Sequence, residues 1–284
     1  GEADDSKKEY ICDTGIPAID EDAGGIYTRT LTTFTAQPKG GKTRFSLVQY
    51  VYPVLMAGYD CVYYELELSK AEVENILIAY HVVRLYRGRI KIPDKFMNQG
   101  KLSDEQKQIY ESARIDLFES GKYGKFFYKN SFVVESARSE LLSLSRASGK
   151  LKLIVVDYMG LSESMPASKW DKRKEEYQII SDSYKELGKL KSVLNTHVLC
   201  INQFNDKGID AAYAGKPLRP GMIQGGHIVE RHTDYNLYMT YTEEQKLARV
   251  RTLTADLVRG AEGFDNALMS VDLSVSIFRQ ELAK

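Results

Sequence analysis

Apolar positions along this chain gather into four short runs, at residues 31–35, 61–64, 151–156 and 197–201. Each is rich in β-branched, aromatic or other strand-forming side chains, and each gives way to polar residues, the pattern of buried strands. Helical stretches lie between them. The clearest covers residues 177–194, where Ile180, Tyr184, Leu187, Lys191 and Leu194 recur at helical spacing with Lys191 as the polar break. Alternation of strand and helix predicts an α/β fold, a mostly parallel twisted sheet with helices on both faces. The last third reads differently. Residues 233–241, 248–257 and 268–278 are predicted strands joined by turn signals such as Glu262-Gly263, and are expected as partly antiparallel additions at one side of the same sheet. Residues 1–9 are polar and charged, so a flexible lead-in is expected through residue 12, followed by one domain over 13–284.

Ligands of such sheets bind beyond the carboxyl ends of the strands, and the polar residues of interest stand just there. After the first run comes Ala36-Gln37-Pro38-Lys39-Gly40-Gly41-Lys42-Thr43, opening at Arg44 onto a predicted helix. Strand, glycine loop with Gly-Lys-Thr, then helix is a phosphate-binding loop. Its backbone N–H groups and the helix N-terminus suit a triphosphate. Lys42 is placed to reach the β- and γ-phosphates and the Thr43 hydroxyl to bind Mg²⁺. Ala36 stands where the bare motif has Gly. The third run ends in Asp157, a strand-end carboxylate suited to the Mg²⁺ hydration shell. The second ends Tyr64-Glu65-Leu66-Glu67. Either glutamate can polarise an attacking water, and because the two share strand parity, periodicity does not choose between them. The fourth runs on into Asn202-Gln203-Phe204-Asn205, where an amide can sense the γ-phosphate or simply cap the strand.

Two further segments leave the same edge. Residues 206–226 read as a long Gly-rich loop with Lys207, Lys216 and Arg219, and the loop after Asp157 holds Lys169, Trp170, Lys172 and Arg173. Basic loops there suit a nucleic-acid backbone, or are ordinary solvated loops.

Composition narrows this picture only modestly. The chain has 284 residues, 43% hydrophobic and 27% charged, with a formal net charge of zero, which excludes a generic polyanion-coating protein. A nucleic-acid partner therefore needs a local patch or several subunits acting together. No apolar run is long enough to span a bilayer, so no membrane partner is expected. Cys12, Cys61 and Cys200 are widely spaced, form no metal-ligand pair, and suggest a reducing, cytoplasmic setting.

The order of these elements resembles the RecA-like ATPase domain of DnaB-type replicative helicases, including phage versions. In that family the phosphate loop commonly begins with Ala and has Pro third, as in Ala36-Gln37-Pro38. Thr14-Gly15-Ile16-Pro17-Ala18-Ile19-Asp20 is similar to the family's entry segment. Gln99-Gly100-Lys101-Leu102-Ser103-Asp104-Glu105 resembles a family turn and helix, and Val156-Asp157-Tyr158-Met159-Gly160-Leu161 its Asp-Tyr-Leu-Gln-Leu segment. Tyr64-Glu65-Leu66-Glu67-Leu68 resembles its Ser-Leu-Glu-Met strand end, which implies that Glu67 is the catalytic carboxylate. Asn202-Gln203-Phe204-Asn205 resembles its Ser-Gln-Leu-Asn, which implies that Gln203 is the γ-phosphate sensor. Lys216-Pro217 and Gly226-His227-Ile228, with Asp234 beyond, resemble the second DNA loop and the helix after it. Leu257-Val258-Arg259-Gly260 is similar to the family's Lys-x-Arg segment, which implies that Arg259 is an arginine finger acting on a neighbouring subunit's ATP.

The resemblance covers residues 13–279 and implies an ATP- and Mg²⁺-dependent motor on single-stranded DNA. The implied assembly is a homo-oligomer, usually a hexamer, with primase and a helicase loader as further partners. Two departures stand out. Leu257 replaces the Lys of the finger segment. Ile223 replaces the Arg of Arg-Glu-Ser-Gly, so that contacts there fall to the backbone N–H groups of Gln224, Gly225 and Gly226. The family's N-terminal primase-interacting domain is not found, so the sequence is expected to be an excised ATPase domain or a shortened phage-type protein. The competing readings are a recombinase-type or circadian-type relative without unwinding, and a loader or scaffold using nucleotide only as a switch.

Overall fold

The computed structural model describes residues 7–162, 176–216, 218, 220–224, 226–256 and 262–281. Its eleven strands among these residues are β1 (Tyr10–Cys12), β2 (Ile26–Tyr27), β3 (Thr30–Ala36), β4 (Asp60–Glu65), β5 (Phe126–Lys129), β6 (Leu151–Asp157), β7 (His197–Gln203), β8 (Tyr235–Thr240), β9 (Val250–Asp256), β10 (Phe264–Asp272) and β11 (Ile277–Gln280). β1 and β2 form a small antiparallel ribbon, so Tyr10–Cys12, expected within the lead-in, already belongs to the fold. The other nine make one sheet in the order β11-β10-β9-β8-β3-β7-β6-β4-β5. From β8 to β5 all pairs are parallel. From β8 to β11 they are antiparallel.

The four sequence-read runs are β3, β4, β6 and β7, each extended by one or two residues. Their side chains alternate between two cores. Phe34, Cys61, Tyr63, Leu153, Val155, Leu199 and Ile201 face one cluster with Phe45, Val51 and Leu77. Leu31, Val62, Tyr64, Ile154, Val156, Val198 and Cys200 face another with Leu141, Tyr184 and Leu187. A strand buried on both faces needs this continuous apolar run. The helix Glu176–Val193 covers the second face, as its spacing predicts.

Three readings are corrected. The segment 268–278 is two strands, because the chain turns between Asp272 and Ile277, where Ser276 takes φ +58°. β5 was not read as a strand at all; it is a four-residue, half-buried edge. Much of the expected loop 206–226 is helical. Asn205 caps Asp206–Tyr213 by accepting a bond from the Gly208 N–H at 3.1 Å, and Ala211 and Ala212 bury the helix's inner side.

The helix after the phosphate loop begins as Lys42–Ser46 and widens to π-helical hydrogen bonding over Leu47–Val51 before Tyr52–Met56. Pro53 has no N–H to offer the preceding turn, which accounts for the break in the ordinary ladder. Two Ser capping boxes start the helices Lys70–Leu85 and Asp104–Phe118, which close a third, smaller core.

Candidate nucleotide site

The register brings the site residues to one edge. Ala36 at the end of β3 pairs with Gln203 of β7 and Met239 of β8, while Glu65 of β4 pairs with Asp157 of β6. The central strand therefore launches the loop with an amide on the adjacent β7 and, on the next two strands of that same side, a pair of carboxylates.

The loop itself is tightly folded. Gly40 N–H donates to the Gln37 carbonyl at 2.9 Å, and a Cβ on Gly40 would sit 2.8 Å from that same oxygen. Gly41 takes φ +99°, and a Cβ there would lie 2.9 Å from Leu273, so both glycines are required by the backbone path. Lys39, exposed at the tip, is itself left-handed at φ +61°. The loop is strapped from β8's far end. Tyr241 donates its N–H to Gln37 Oε1 at 2.6 Å and its hydroxyl to the Pro38 carbonyl at 2.7 Å. The buried Arg251 guanidinium stacks on Tyr241, 4.4 Å from the ring centroid, and its Nε points at the Gly40 carbonyl, 3.4 Å away. Burial draws the Arg251 pKa down, partly offset by Tyr241.

Lys42, first residue of the helix, turns its ammonium into the carboxylates. Nζ is 2.9 Å from Asp157 Oδ1, 3.1 Å from Glu67 Oε2 and 4.8 Å from the centroid of the Tyr158 ring. Burial works against this charge, but Asp157 and then Glu67 outweigh it and hold the lysine above its ordinary value. The Asp157 side chain is fully buried, and its Oδ2 accepts the Tyr63 hydroxyl at 2.9 Å.

The two glutamates do different things. β4 ends at Glu65, whose buried Oε1 accepts the N–H groups of Glu67 and Leu68, each at 3.0 Å. Burial, with the nearby Asp157 charge, raises Glu65 to about 7. Glu67 stands just past the strand, 42% exposed at the side chain, with its carboxylate on Lys42. Glu65 thus shapes the turn that presents Glu67.

Arg44's guanidinium is taken up by Asp94, in a two-point contact at 3.0 and 2.7 Å, and by Ser276 at 3.0 Å. Gln203 is half-buried beside Ala36, and its carbonyl accepts the Gln224 N–H at 3.1 Å. That bond, with the Phe204–Ile223 bridge, ties the next segment to the sheet end. Ile223, where the family resemblance has Arg, is a buried anchor against Phe204 and Tyr238. Lys207 and Lys216 are exposed, and Gly226 takes φ +49°. Arg219, Gly225, Arg259, Lys169, Trp170, Lys172 and Arg173 lie outside the described residues. Tyr63, Tyr241 and Arg251 were not read from the sequence. Aromatic or cationic residues inside strand-like runs carry no local sign of their partners.

This constellation fits a nucleotide with its metal: a glycine cradle that side chains would fill, a helix-first lysine held between two acids, and a hydroxyl and a buried carboxylate as hard oxygen donors. Comparison with known families agrees. The family model of the DnaB-like helicase C-terminal domain matches residues 12–255, and the chain belongs to that family. It is accordingly the motor domain of a DnaB-like helicase, an ATP-hydrolysing DNA helicase. Among solved structures, the ATPase domain of G40P superposes with a TM-score of 0.76 at 17% identity, over 96% of this chain and 93% of that one. A DnaB-like replicative helicase, solved in a study of its interactions with primase, gives 0.76 at 17% identity, over 96% of this chain and 63% of that one. Both share the RecA-like fold described above. Comparison with curated proteins gives no match. Among the described residues no helix is long and apolar enough to cross a membrane.

Proposed function

We propose that the chain from Tyr10 onward acts as one ATPase domain that assembles into a ring, six subunits by family precedent, moves along single-stranded DNA and separates the duplex. The observation that carries this reading is the position of Lys42 Nζ, within 3.1 Å of both Asp157 and Glu67. A lysine so placed exchanges its carboxylate partners for phosphate oxygens when ATP enters.

The chain's own groups then divide the work. The loop from Ala36 through Gln37, Pro38, Lys39, Gly40 and Gly41 to Arg44 wraps the phosphates, with Lys42 on the β- and γ-oxygens. Thr43 and Asp157 would hold Mg²⁺, which supplies positive charge against the phosphate oxygens. Glu67, released from Lys42, orients the attacking water. Arg259 enters from a neighbouring subunit and stabilises charge as the terminal phosphoryl leaves, a contribution of roughly 10³–10⁵ in rate for such fingers. Gln203 senses the γ-phosphate. Its backbone bond to Gln224 supports a route from phosphate loss to the segment holding Lys207, Lys216, Arg219, Gln224, Gly225 and Gly226, which grips DNA. A cytoplasmic setting, with primase and a loader as partners, follows the same reading.

The test is assembly and strand separation. With Mg²⁺, a non-hydrolysable ATP analogue and a single-stranded oligonucleotide, mass measurement is expected to give a species of about six subunits that unwinds a forked duplex on adding ATP. A monomer, or a filament without strand separation, contradicts the ring motor.

A further inference from the structure

We propose that Tyr63 is a positioning residue for the Asp157 carboxylate, and that Ser46 in turn orients Tyr63. The inference rests on the reading of Asp157 as a metal-holding group and extends it inward to two residues with no exposed surface.

Three oxygens form a buried chain behind the site. Ser46 Oγ and Tyr63 Oη are 2.8 Å apart, and Tyr63 Oη lies 2.9 Å from Asp157 Oδ2. Ser46 Oγ also lies 2.8 Å from the Thr43 carbonyl. Two hydroxyl protons serve three contacts, so one of them is shared. The Thr43 carbonyl has no proton to give, so the Ser46 hydroxyl donates to it and shares the same proton with Tyr63 Oη. Asp157 Oδ2 is a buried acceptor and takes the tyrosine proton, which leaves Tyr63 Oη as the acceptor for Ser46. The consistent direction is Ser46 to Tyr63 to Asp157.

The placement gives this relay its purpose. Ser46 sits one turn along the helix from Lys42 and Thr43, Tyr63 lies on β4, and Asp157 ends β6. The relay therefore joins the phosphate-loop helix to the two carboxylate-bearing strands. Asp157 receives side-chain bonds from Lys42 on Oδ1 and from Tyr63 on Oδ2. When phosphate draws Lys42 away, Tyr63 is the donor that remains among the described residues. It holds Oδ2 against rotation and keeps Oδ1 turned to the site. Such outer partners orient metal-holding carboxylates, and their loss typically weakens metal binding 10- to 100-fold.

The experiment measures binding of a fluorescent ATP analogue to the full chain, in EDTA and across a Mg²⁺ titration. For Tyr63→Phe, affinity in EDTA is expected to stay close to wild type while the half-saturating Mg²⁺ concentration rises roughly 10-fold. Ser46→Ala is expected to shift it the same way by a smaller factor, and to add nothing in the Tyr63→Phe background. A Tyr63→Phe protein with the wild-type Mg²⁺ dependence overturns the proposal. If Tyr63→Phe does not fold, Ser46→Ala decides alone: a shift supports the relay and no shift overturns it. Asp157→Asn separates the two layers. If it changes the Mg²⁺ dependence and Tyr63→Phe does not, only the relay fails; if Asp157→Asn changes nothing, the metal-holding role fails with it.

Discussion

The Lys42 ammonium lies 2.9 Å from a carboxylate oxygen of Asp157, a residue 115 positions further along the chain. The contact joins the helix after β3 to the end of β6, with Glu67 as a second acid on the same nitrogen. Without nucleotide, this ion pair is what neutralises Asp157 in its buried position.

Lys42→Met should therefore weaken the nucleotide-free fold as well as the activity. Stripping the cation from a buried carboxylate costs about 3 kcal/mol, with Tyr63 retaining its bond. Urea unfolding without nucleotide measures the loss. The rise in melting temperature on adding an ATP analogue, expected for wild type, should be absent in the variant.

The neighbouring glutamates should separate cleanly into two phenotypes. Glu65→Ala removes the acceptor of two backbone N–H groups, at a cost of about 2 kcal/mol in stability. Glu67→Ala removes only a half-exposed pair to Lys42, so its stability cost should stay below about 1 kcal/mol, while turnover collapses. Thermal unfolding and ATP hydrolysis measured on both proteins check the division. Equal stability losses would show that Glu67 shares Glu65's backbone role.

This division also marks where sequence reading stops. Short runs of strand-forming residues identified β3, β4, β6 and β7, because each is buried on both faces. Alternation does not separate Glu65 from Glu67, since parity ends where the strand ends, and β4 ends at Glu65. Family resemblance pointed to Glu67; the backbone bonds to Glu65 supply the physical distinction. β5 escaped notice because Phe126–Lys129 is short and at the edge. The helix Asp206–Tyr213 was hidden by Gly208 and its polar first turn, although Asn205 is an ordinary N-cap. The strap on the phosphate loop was out of reach, because Tyr241 and Arg251 meet Pro38 and Gly40 across more than two hundred residues.

Tyr241→Phe tests that strap. The change deletes one hydroxyl bond to the Pro38 carbonyl and leaves the stack with Arg251. Loosening the loop by one bond of about 1 kcal/mol should weaken nucleotide binding by roughly five-fold. Titration with a fluorescent nucleotide reads this directly. An unchanged affinity would mean that Gly40, Gly41 and the Gln37 contacts fix the loop unaided.

A pH dependence should come from His197, at the opposite end of the sheet. The ring is buried at the start of β7, with Nδ1 3.0 Å from the Tyr27 carbonyl, so the neutral ring donates there. Burial lowers its pKa to about 4, despite the Tyr27 carbonyl and Asp234, which favour the charged form, while Lys191 and Lys8 oppose it. The unfolded histidine, at about 6.5, binds its proton first as the pH falls. The folded state is therefore at no disadvantage above 6.5, and stability falls as pH drops from 6.5 towards 4, by on the order of 3 kcal/mol across the window. His197→Asn, which keeps a donor near Tyr27, should flatten this acid limb in urea unfolding between pH 7 and 4.5. The same slope in both proteins would assign it to other groups.

The most direct test of the motor site is ATP turnover by the full chain with and without single-stranded DNA, for wild type and Glu67→Gln. The expected result is turnover by wild type that DNA stimulates, against a loss of at least roughly 100-fold in Glu67→Gln with ATP still bound. Hydrolysis by Glu67→Gln at the wild-type rate, or a wild-type rate indifferent to DNA, would contradict the account.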